Sequence, residues 1–210
     1  IASDFATAYA LKSDGTVWGW GSNTGGQLYG AVGTPYSAVP VQIPGMTGIV
    51  SITDTYQSLT GLTGSGAIVA PGKAAQSPSC PVRQAFTDWN DEWTVLCTDG
   101  TVWLSDISLG ENAPNRVPGI LPGLTGVSSL VYGSSTFYAL KSDHTVWSWG
   151  PNWDFHAGDG WQTDYGYQVP EAVGGSASPH YWDAAPFQVP GMTGVTALGA
   201  TLDDVFVARG

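Results

Sequence analysis

The chain has 210 residues, of which 11% are charged, and its six Lys and Arg stand against 17 Asp and Glu for a net charge of −11. Nucleic-acid binding needs clustered cations to displace counterions, so this balance excludes a nucleic-acid partner. No apolar run reaches the roughly 18 residues of a membrane span, and 29 Gly and 14 Pro break nearly every window in which a helical period could be sought.

Taken in order, the chain opens directly in a strand at Ile1, with no basic segment leading into an apolar one, and reads as a mature or excised piece. Tyr9–Gly21, YALKSDGTVWGWG, predicts a β-hairpin. Tyr9 to Lys12 alternates as a short half-buried strand, and Val17 to Gly21 returns with β-branched and aromatic residues. Between them Asp14-Gly15 is a strong turn signal, because both residue types tolerate positive φ. Next comes Pro44-Gly45-Met46-Thr47-Gly48-Ile49, followed by the alternating run Val50-Ser51-Ile52. The hairpin pattern returns in eroded form at Leu62–Val69 and clearly at Val95–Trp103. The linker returns at Pro122–Val127 and Pro190–Val195. Phe137–Gly150, FYALKSDHTVWSWG, restates the first hairpin almost letter for letter, with His144 in place of Gly15. That exchange predicts a turn that is strained or of another type.

Aligning the copies places Ile1, Ile52, Phe86, Leu130 and Leu198 in equivalent positions and gives one repeat domain over residues 1–210. Its units are approximately 1–51, 52–85, 86–129 and 130–197, with a fifth opening at 198–210. Trp18, Trp20, Trp103, Trp147 and Trp149 then recur on strands, where core and inter-sheet packing is the expectation. In the fifth unit Val205–Arg209 duplicates the first hairpin strand, which leaves terminal strands available for self-association.

At these residues the sequence resembles a bacterial repeat of the regulator-of-chromosome-condensation type. ALKSDGTVWGWGSNTGGQLYG is similar to the family's A-L-x-x-D-G-x-V-W-x-W-G-x-N-x-x-G-Q-L-G core, and Val39 to Gly48 to its P-x-x-V-x-G-L-x-x-V linker. Units one and four carry the resemblance best, unit three keeps the hairpin, and unit two departs furthest. The resemblance implies an all-β, β-propeller fold, usually of seven blades with four strands each; the four units of this chain make it a propeller-like array of about four blades, standing alone or as part of a larger, seven-bladed ring. It also implies protein–protein interaction, since family members include exchange-factor propellers and a secreted β-lactamase inhibitor.

The chemistry-bearing residue types give little else. Cys80 and Cys97 are an even pair in an acidic chain that suits an extracellular or cell-surface setting, which favours one disulfide over two buried thiols. Two cysteines without companions at ligand spacing do not make a zinc site. Phe86–Trp93, FTDWNDEW, has oxygen ligands but lacks the glycine and distal Glu of a calcium loop. Gly66 to Lys73 has the wrong spacing for a phosphate loop, and Ala74 stands where magnesium would need a hydroxyl. His144, His156 and His180 fall in turns or loops, and no nucleophile elbow occurs. The expectation is a protein that is not an enzyme, with no cofactor and no metal.

One irregularity stands out. Unit four inserts roughly 35 residues before Phe187, and the insertion is too aromatic for disorder. Trp153, Asp154, His156, Trp161, Tyr165, Tyr167, Tyr181 and Trp182 are types that make protein-interface hot spots. They would equally stack on and hydrogen-bond a sugar, or fold inward to cover a sheet edge. The functional expectation is a secreted or surface protein-binding module. Its alternatives are a carbohydrate-binding, adhesive module and a structural subunit of a larger assembly.

Overall fold

The computed structural model describes residues 1–3, 6–29, 33–55, 58–87, 92–105, 118–133, 136–150, 183–201 and 204–210. Every regular element among them is a strand. The first sheet holds β1 (Ala2–Ser3), β2 (Thr7–Leu11), β3 (Val17–Ser22) and β4 (Tyr36–Gln42), in that order. The second has three strands, β5 (Ile49–Thr55), β6 (Ser58–Thr63) and β7 (Ile68–Val69). The third comprises β8 (Val82–Thr87), β9 (Trp93–Cys97), β10 (Val102–Leu104) and β11 (Gly119–Ile120). The fourth comprises β12 (Val127–Gly133), β13 (Thr136–Lys141), β14 (Val146–Gly150) and β15 (Asp183–Gln188). A two-stranded sheet of β16 (Val195–Ala200) and β17 (Val205–Arg209) follows. Each sheet is a meander in sequence order, as expected of a β-propeller built from repeated sheets.

One residue of every first strand except β1 bulges out, at Val50, Arg83, Ser128 and Thr196, where the ladder skips from Ile49 to Ser51 and likewise in the others. The Ser128 and Thr196 hydroxyls donate across the ladder to the Leu140 and Ala208 carbonyls (2.9 and 3.3 Å). Such bulges re-aim a strand at a fixed place. The ladder also fixes the repeat register. Ile52, Leu130 and Leu198 pair with Gly61, Ala139 and Val207, and the matching partner Val95 pairs with Ala85. Ala85, one residue before Phe86, is therefore the equivalent position in the third repeat.

The hairpin turns of the first, second and fourth repeats are of one kind. Lys12 N–H donates to the Thr16 carbonyl (2.9 Å) and Gly15 N–H to the Lys12 carbonyl (3.0 Å). This is a three-residue turn whose last residue is left-handed, and Gly15 has φ 78°. Asp14 shows no positive φ. Instead its carboxylate accepts from the Thr16 N–H (3.0 Å) and hydroxyl (2.6 Å). The fourth repeat makes the same turn with the same bonds, from Lys141 to Thr145 (2.9 Å) and from His144 to Lys141 (2.9 Å). His144 simply takes the left-handed conformation, φ 66°, so the turn type does not change. Its ring Nδ1 lies 3.0 Å from the Val195 carbonyl, a hydrogen bond that glycine cannot make. The eroded second repeat keeps the turn as well: Thr63 to Ala67 (2.9 Å) and Gly66 to Thr63 (3.0 Å), with Gly66 at φ 85°.

The chain separates into two compact parts, residues 1–98 with 103–105, and 99–102 with 106–210. In the first part Tyr9, Val17, Ile43, Met46, Ile49 and Leu59 form one buried cluster. Gly19 makes room for it, since a Cβ there would lie 2.9–3.1 Å from Tyr9, Leu28 and Ile43 side-chain atoms. Each of these apolar side chains contributes about 1.5–3 kcal/mol by burial. A second cluster gathers Leu62, Ile68, Ala70, Ala85, Trp93, Val95, Cys97 and Trp103. Threonines of β5 join it, the half-buried Thr53 and the buried Thr55 donating to the Ala85 and Thr87 carbonyls. In the second part Leu140, Val146, Val189 and Val195 pack together, and Phe137 stacks on Trp149 at 5.5 Å.

The repeat tryptophans divide into two classes. Trp103 and Trp149 are buried as expected, whereas Trp18, Trp20 and Trp147 are half-buried. The indole N–H groups of Trp18 and Trp147 donate to the Thr16 and Thr145 hydroxyls (3.0 and 3.1 Å). Lys12 and Lys141 lie over those rings at 5.5 and 5.0 Å. These two tryptophans cap their turns rather than fill the core.

Candidate interaction surface

The eight side chains singled out in the sequence, Trp153, Asp154, His156, Trp161, Tyr165, Tyr167, Tyr181 and Trp182, lie outside the described residues. In chain order they belong to the connection between β14 and β15. The corresponding connection of the first repeat, between β3 and β4, is described apart from residues 30–32.

Asn23 is its organiser. Its side-chain amide donates to the Thr34 carbonyl (2.9 Å), and its side-chain carbonyl accepts from the Leu28 N–H (2.9 Å). Its backbone N–H reaches the Pro35 carbonyl (2.9 Å), so one residue ties both ends of the loop. Gln27 and Leu28 are buried beneath, and the Tyr9 hydroxyl donates to the Gln27 carbonyl at 3.0 Å. Tyr29 follows in a left-handed conformation, φ 45°, with its side chain partly exposed.

The loop delivers the chain into β4 through a bulge. Gly19 pairs with Val41 and Gly21 with Ser37, so β4 spends four residues where β3 spends two. Ala38, Val39 and Pro40 bow outward, held by a hydrogen bond from the Ser37 hydroxyl to the Val39 carbonyl (2.7 Å). The outcome is an apolar display on an outer strand, with Tyr36 70% and Val39 64% exposed. The fourth repeat has the same offset, pairing Ser148 with Phe187 and Gly150 with Asp183, and Pro186 matches Pro40. A bulged, proline-bearing strand resists edge-to-edge pairing while still showing side chains to a partner. Tyr36 and Val39 were not singled out in the sequence. The available signal was Val39-Pro40, a β-branched residue before a proline that cannot donate to a central ladder.

Electrostatics separates structural acids from available ones. Asp14 lies well below the usual carboxylate range because the Thr16 hydroxyl, the Lys12 ammonium and the Thr16 N–H all favour its charged form. Asp99 and Asp143 are lowered in the same way, chiefly by the Thr101 and Thr145 hydroxyls. These three carboxylates are committed to turns. The Tyr138 hydroxyl is pushed up to about 12 by burial. Cys80 and Cys97 form the expected disulfide, with their Cα atoms 5.8 Å apart. Among the described residues no group of three His, Cys, Asp or Glu is placed to hold a metal ion. No helix among them is long and apolar enough to cross a membrane.

These features define, over the described residues, an all-β protein of repeated antiparallel sheets with an ordered turn network in the β3–β4 connection. Residues 5–27, the first hairpin and the Asn23 loop, match the regulator of chromosome condensation (RCC1) repeat. No curated protein matches the chain by sequence. Solved structures do match. Human WBSCR16 is 20% identical with a TM-score of 0.69, over 99% of this chain and 56% of its own. Prp20p from Saccharomyces cerevisiae, in a structure whose report concerns binding to Gsp1p and histones, is 15% identical with a TM-score of 0.66, over 96% and 53%. Yeast RCC1 (Prp20) bound by Kap60 is 17% identical with a TM-score of 0.63, over 95% and 51%. The chain spans about half the length of these structures. Its fold is that of the RCC1-type β-propellers.

Proposed function

We propose that the chain is a non-catalytic binding module that engages a protein partner through its β3–β4-type loops and bulged outer strands. The observation that carries this reading is the exposed Tyr36–Val39–Pro40 bulge beside the Asn23 hydrogen bonds to Leu28, Thr34 and Pro35. A preformed apolar display on a stiff scaffold is what a protein partner can bury at little ordering cost. The similar Prp20 structures, described with Gsp1p, histones and Kap60, support a protein partner. The net charge of −11 suits a partner with a basic face. The Cys80–Cys97 disulfide supports an extracellular or cell-surface location, because such bonds persist in oxidising compartments.

The test uses the chain with a photo-crosslinker at position 36, followed by titration of the partner so identified. Tyr36→Ala with Val39→Ser should weaken binding by about tenfold or more at unchanged melting temperature, the effect of losing a hot spot. Unchanged affinity would remove this surface from the reading. Glycan-array binding lost on Trp153→Ala or Trp161→Ala, without a protein partner, would favour the carbohydrate-binding, adhesive reading. Concentration-dependent dimers broken by Phe206→Lys would favour self-association, since Phe206 on β17 is 58% exposed.

A further inference from the structure

Three of the four connections between successive sheets are built alike. In Pro44–Ile49, Pro122–Val127 and Pro190–Val195 the last glycine is left-handed, with φ 68° at Gly48, 69° at Gly126 and 67° at Gly194. The next residue's N–H then donates back to the preceding hairpin turn: Ile49 to the Gly15 carbonyl (3.0 Å), Val127 to Gly100 (2.9 Å) and Val195 to His144 (3.0 Å). Met46 and Leu124 anchor their linkers by complete burial. Turn and linker touch so closely that a Cβ on Gly15 would lie 3.2 Å from Gly48 backbone atoms.

The connection from the second to the third sheet has none of these parts. Val82 pairs with Cys97 as Ile49 pairs with Thr63 and Val127 with Lys141, which fixes the correspondence residue by residue. Pro81 therefore stands for Gly48, Cys80 for Thr47 and Ser79 for Met46. Proline holds φ near −65° and cannot adopt the left-handed turn. Ser79 is exposed and anchors nothing. Gly66, the counterpart of Gly15, has open space where its Cβ would be. Among the weaker holds on this segment are two backbone contacts. One is the turn closed by Lys73 N–H to the Ala70 carbonyl (3.1 Å), with Pro71 and Gly72 at its centre. The other is the Ile68–Gln76 bridge, with two hydrogen bonds of 2.8 Å, in place of a fourth strand. Thr98 N–H still reaches the Pro81 carbonyl (2.9 Å), one residue from each cysteine.

We propose that the Cys80–Cys97 disulfide takes the place of the missing glycine clamp, so that its reduction selectively releases residues 71–81 and bares the outer edge of β7 while the sheets stay folded. This makes the second repeat a redox-responsive strand edge. Reduction by a dithiol breaks the S–S bond with two electrons and two protons. Two cysteine thiols result, and the reductant closes to its cyclic disulfide. Cys80, half-buried, is the accessible sulfur, whereas Cys97 is completely buried in the second core cluster.

Hydrogen exchange on the whole chain, with and without dithiothreitol, tests this. Peptides covering 71–81 should exchange about tenfold faster or more when reduced, as expected for a segment that opens locally. Peptides holding the Ile49, Val127 and Val195 amides should not change. Uniform acceleration everywhere would overturn the proposal, because the disulfide would then be a global staple; no acceleration at 71–81 would overturn it too. A graft gives the independent arm: Ser77→Pro, Pro78→Gly, Ser79→Met, Cys80→Thr and Pro81→Gly, with Cys97→Thr. This graft should protect 71–81 with or without dithiothreitol. A grafted chain as open there as the reduced natural one would show that the two clamps are not equivalent.

Discussion

In the first repeat the Gly15 turn is pressed against Gly48 and the linker is anchored by a fully buried Met46; in the second, the Gly66 turn faces open space and a disulfide secures the next strand. Both repeats nevertheless make the same hairpin turn, and the strands they lead into, β5 and β8, carry the same bulge. The comparison separates what a repeat requires from what it can exchange. The backbone geometry of the turn is required. The device that fastens one sheet to the next is exchangeable, provided that something restrains the connection.

The largest effect should come from cutting the substitute fastening. Replacing Cys80 and Cys97 by Ala frees a loop of 17 residues. The chain-entropy model gives roughly 3 kcal/mol for such a loop, to be read as the fall in opening free energy of the 71–81 amides by hydrogen exchange against the oxidised parent. A loss below about 1 kcal/mol would mean that the Ile68–Gln76 bridge and the second core cluster hold the segment unaided.

The next test sets the two glycine turns against each other. Gly66→Ala should cost about 1 kcal/mol, the strain of a left-handed alanine alone. Gly15→Ala adds a clash with Gly48 and Ile49 backbone atoms at 3.2 Å and should cost about 2 kcal/mol. Equal costs would mean that the Gly15–Gly48 contact relaxes freely. His144 shows that the fourth repeat accommodates a side chain at this position by gaining a bond to Val195. His144→Ala should therefore cost about 1 kcal/mol, a lost hydrogen bond with the strain retained. His144→Gly should be nearly neutral, because it loses the same bond but relieves the strain.

Much of this architecture is legible in the sequence, and the exceptions have physical causes. Asp-Gly-Thr-Val-Trp announces the hairpin because its turn chemistry is local. Ile52, Leu130 and Leu198 align because their flanking runs are intact. The third repeat misleads by one residue because Pro81 replaces the marker glycine and Phe86 is the more conspicuous hydrophobe beside Ala85. A left-handed histidine carries no signature of its own. Trp18 looks like a core residue, yet its indole N–H needs a partner and finds it in Thr16 at the turn. The bulged outer strand is the least visible feature, because a bulge depends on the offset between two strands rather than on either one alone. The aromatic insertion of the fourth repeat lies outside the described residues, so Trp153 and Trp161 enter only through the glycan arm of the binding test.

The smallest predicted effect distinguishes the turns by their acids. Asp14, Asp99 and Asp143 each bond the hydroxyl and N–H of a threonine two residues on, and each is lowered from its ordinary value. The second repeat has Ser65 at that place and uses Thr63 instead, whose hydroxyl accepts from the Ala67 N–H (3.0 Å). A carboxylate with a depressed folded-state pKa stabilises fully above its unfolded value, about 3.9, and loses that contribution as pH falls toward the folded value. All three side chains are solvent-exposed, so screening keeps the effect on global stability small. The local readout is sharper: in an NMR titration from pH 7 downward the Thr16, Thr101 and Thr145 amides should shift only at pH values below about 3.9, while the Ala67 amide stays still. Ser65→Asp should give the Ala67 amide the same low-pH transition. If Ala67 stays silent in that variant, the carboxylate is not interchangeable with Thr63, and the second repeat's turn is a separate solution rather than a worn copy of the first.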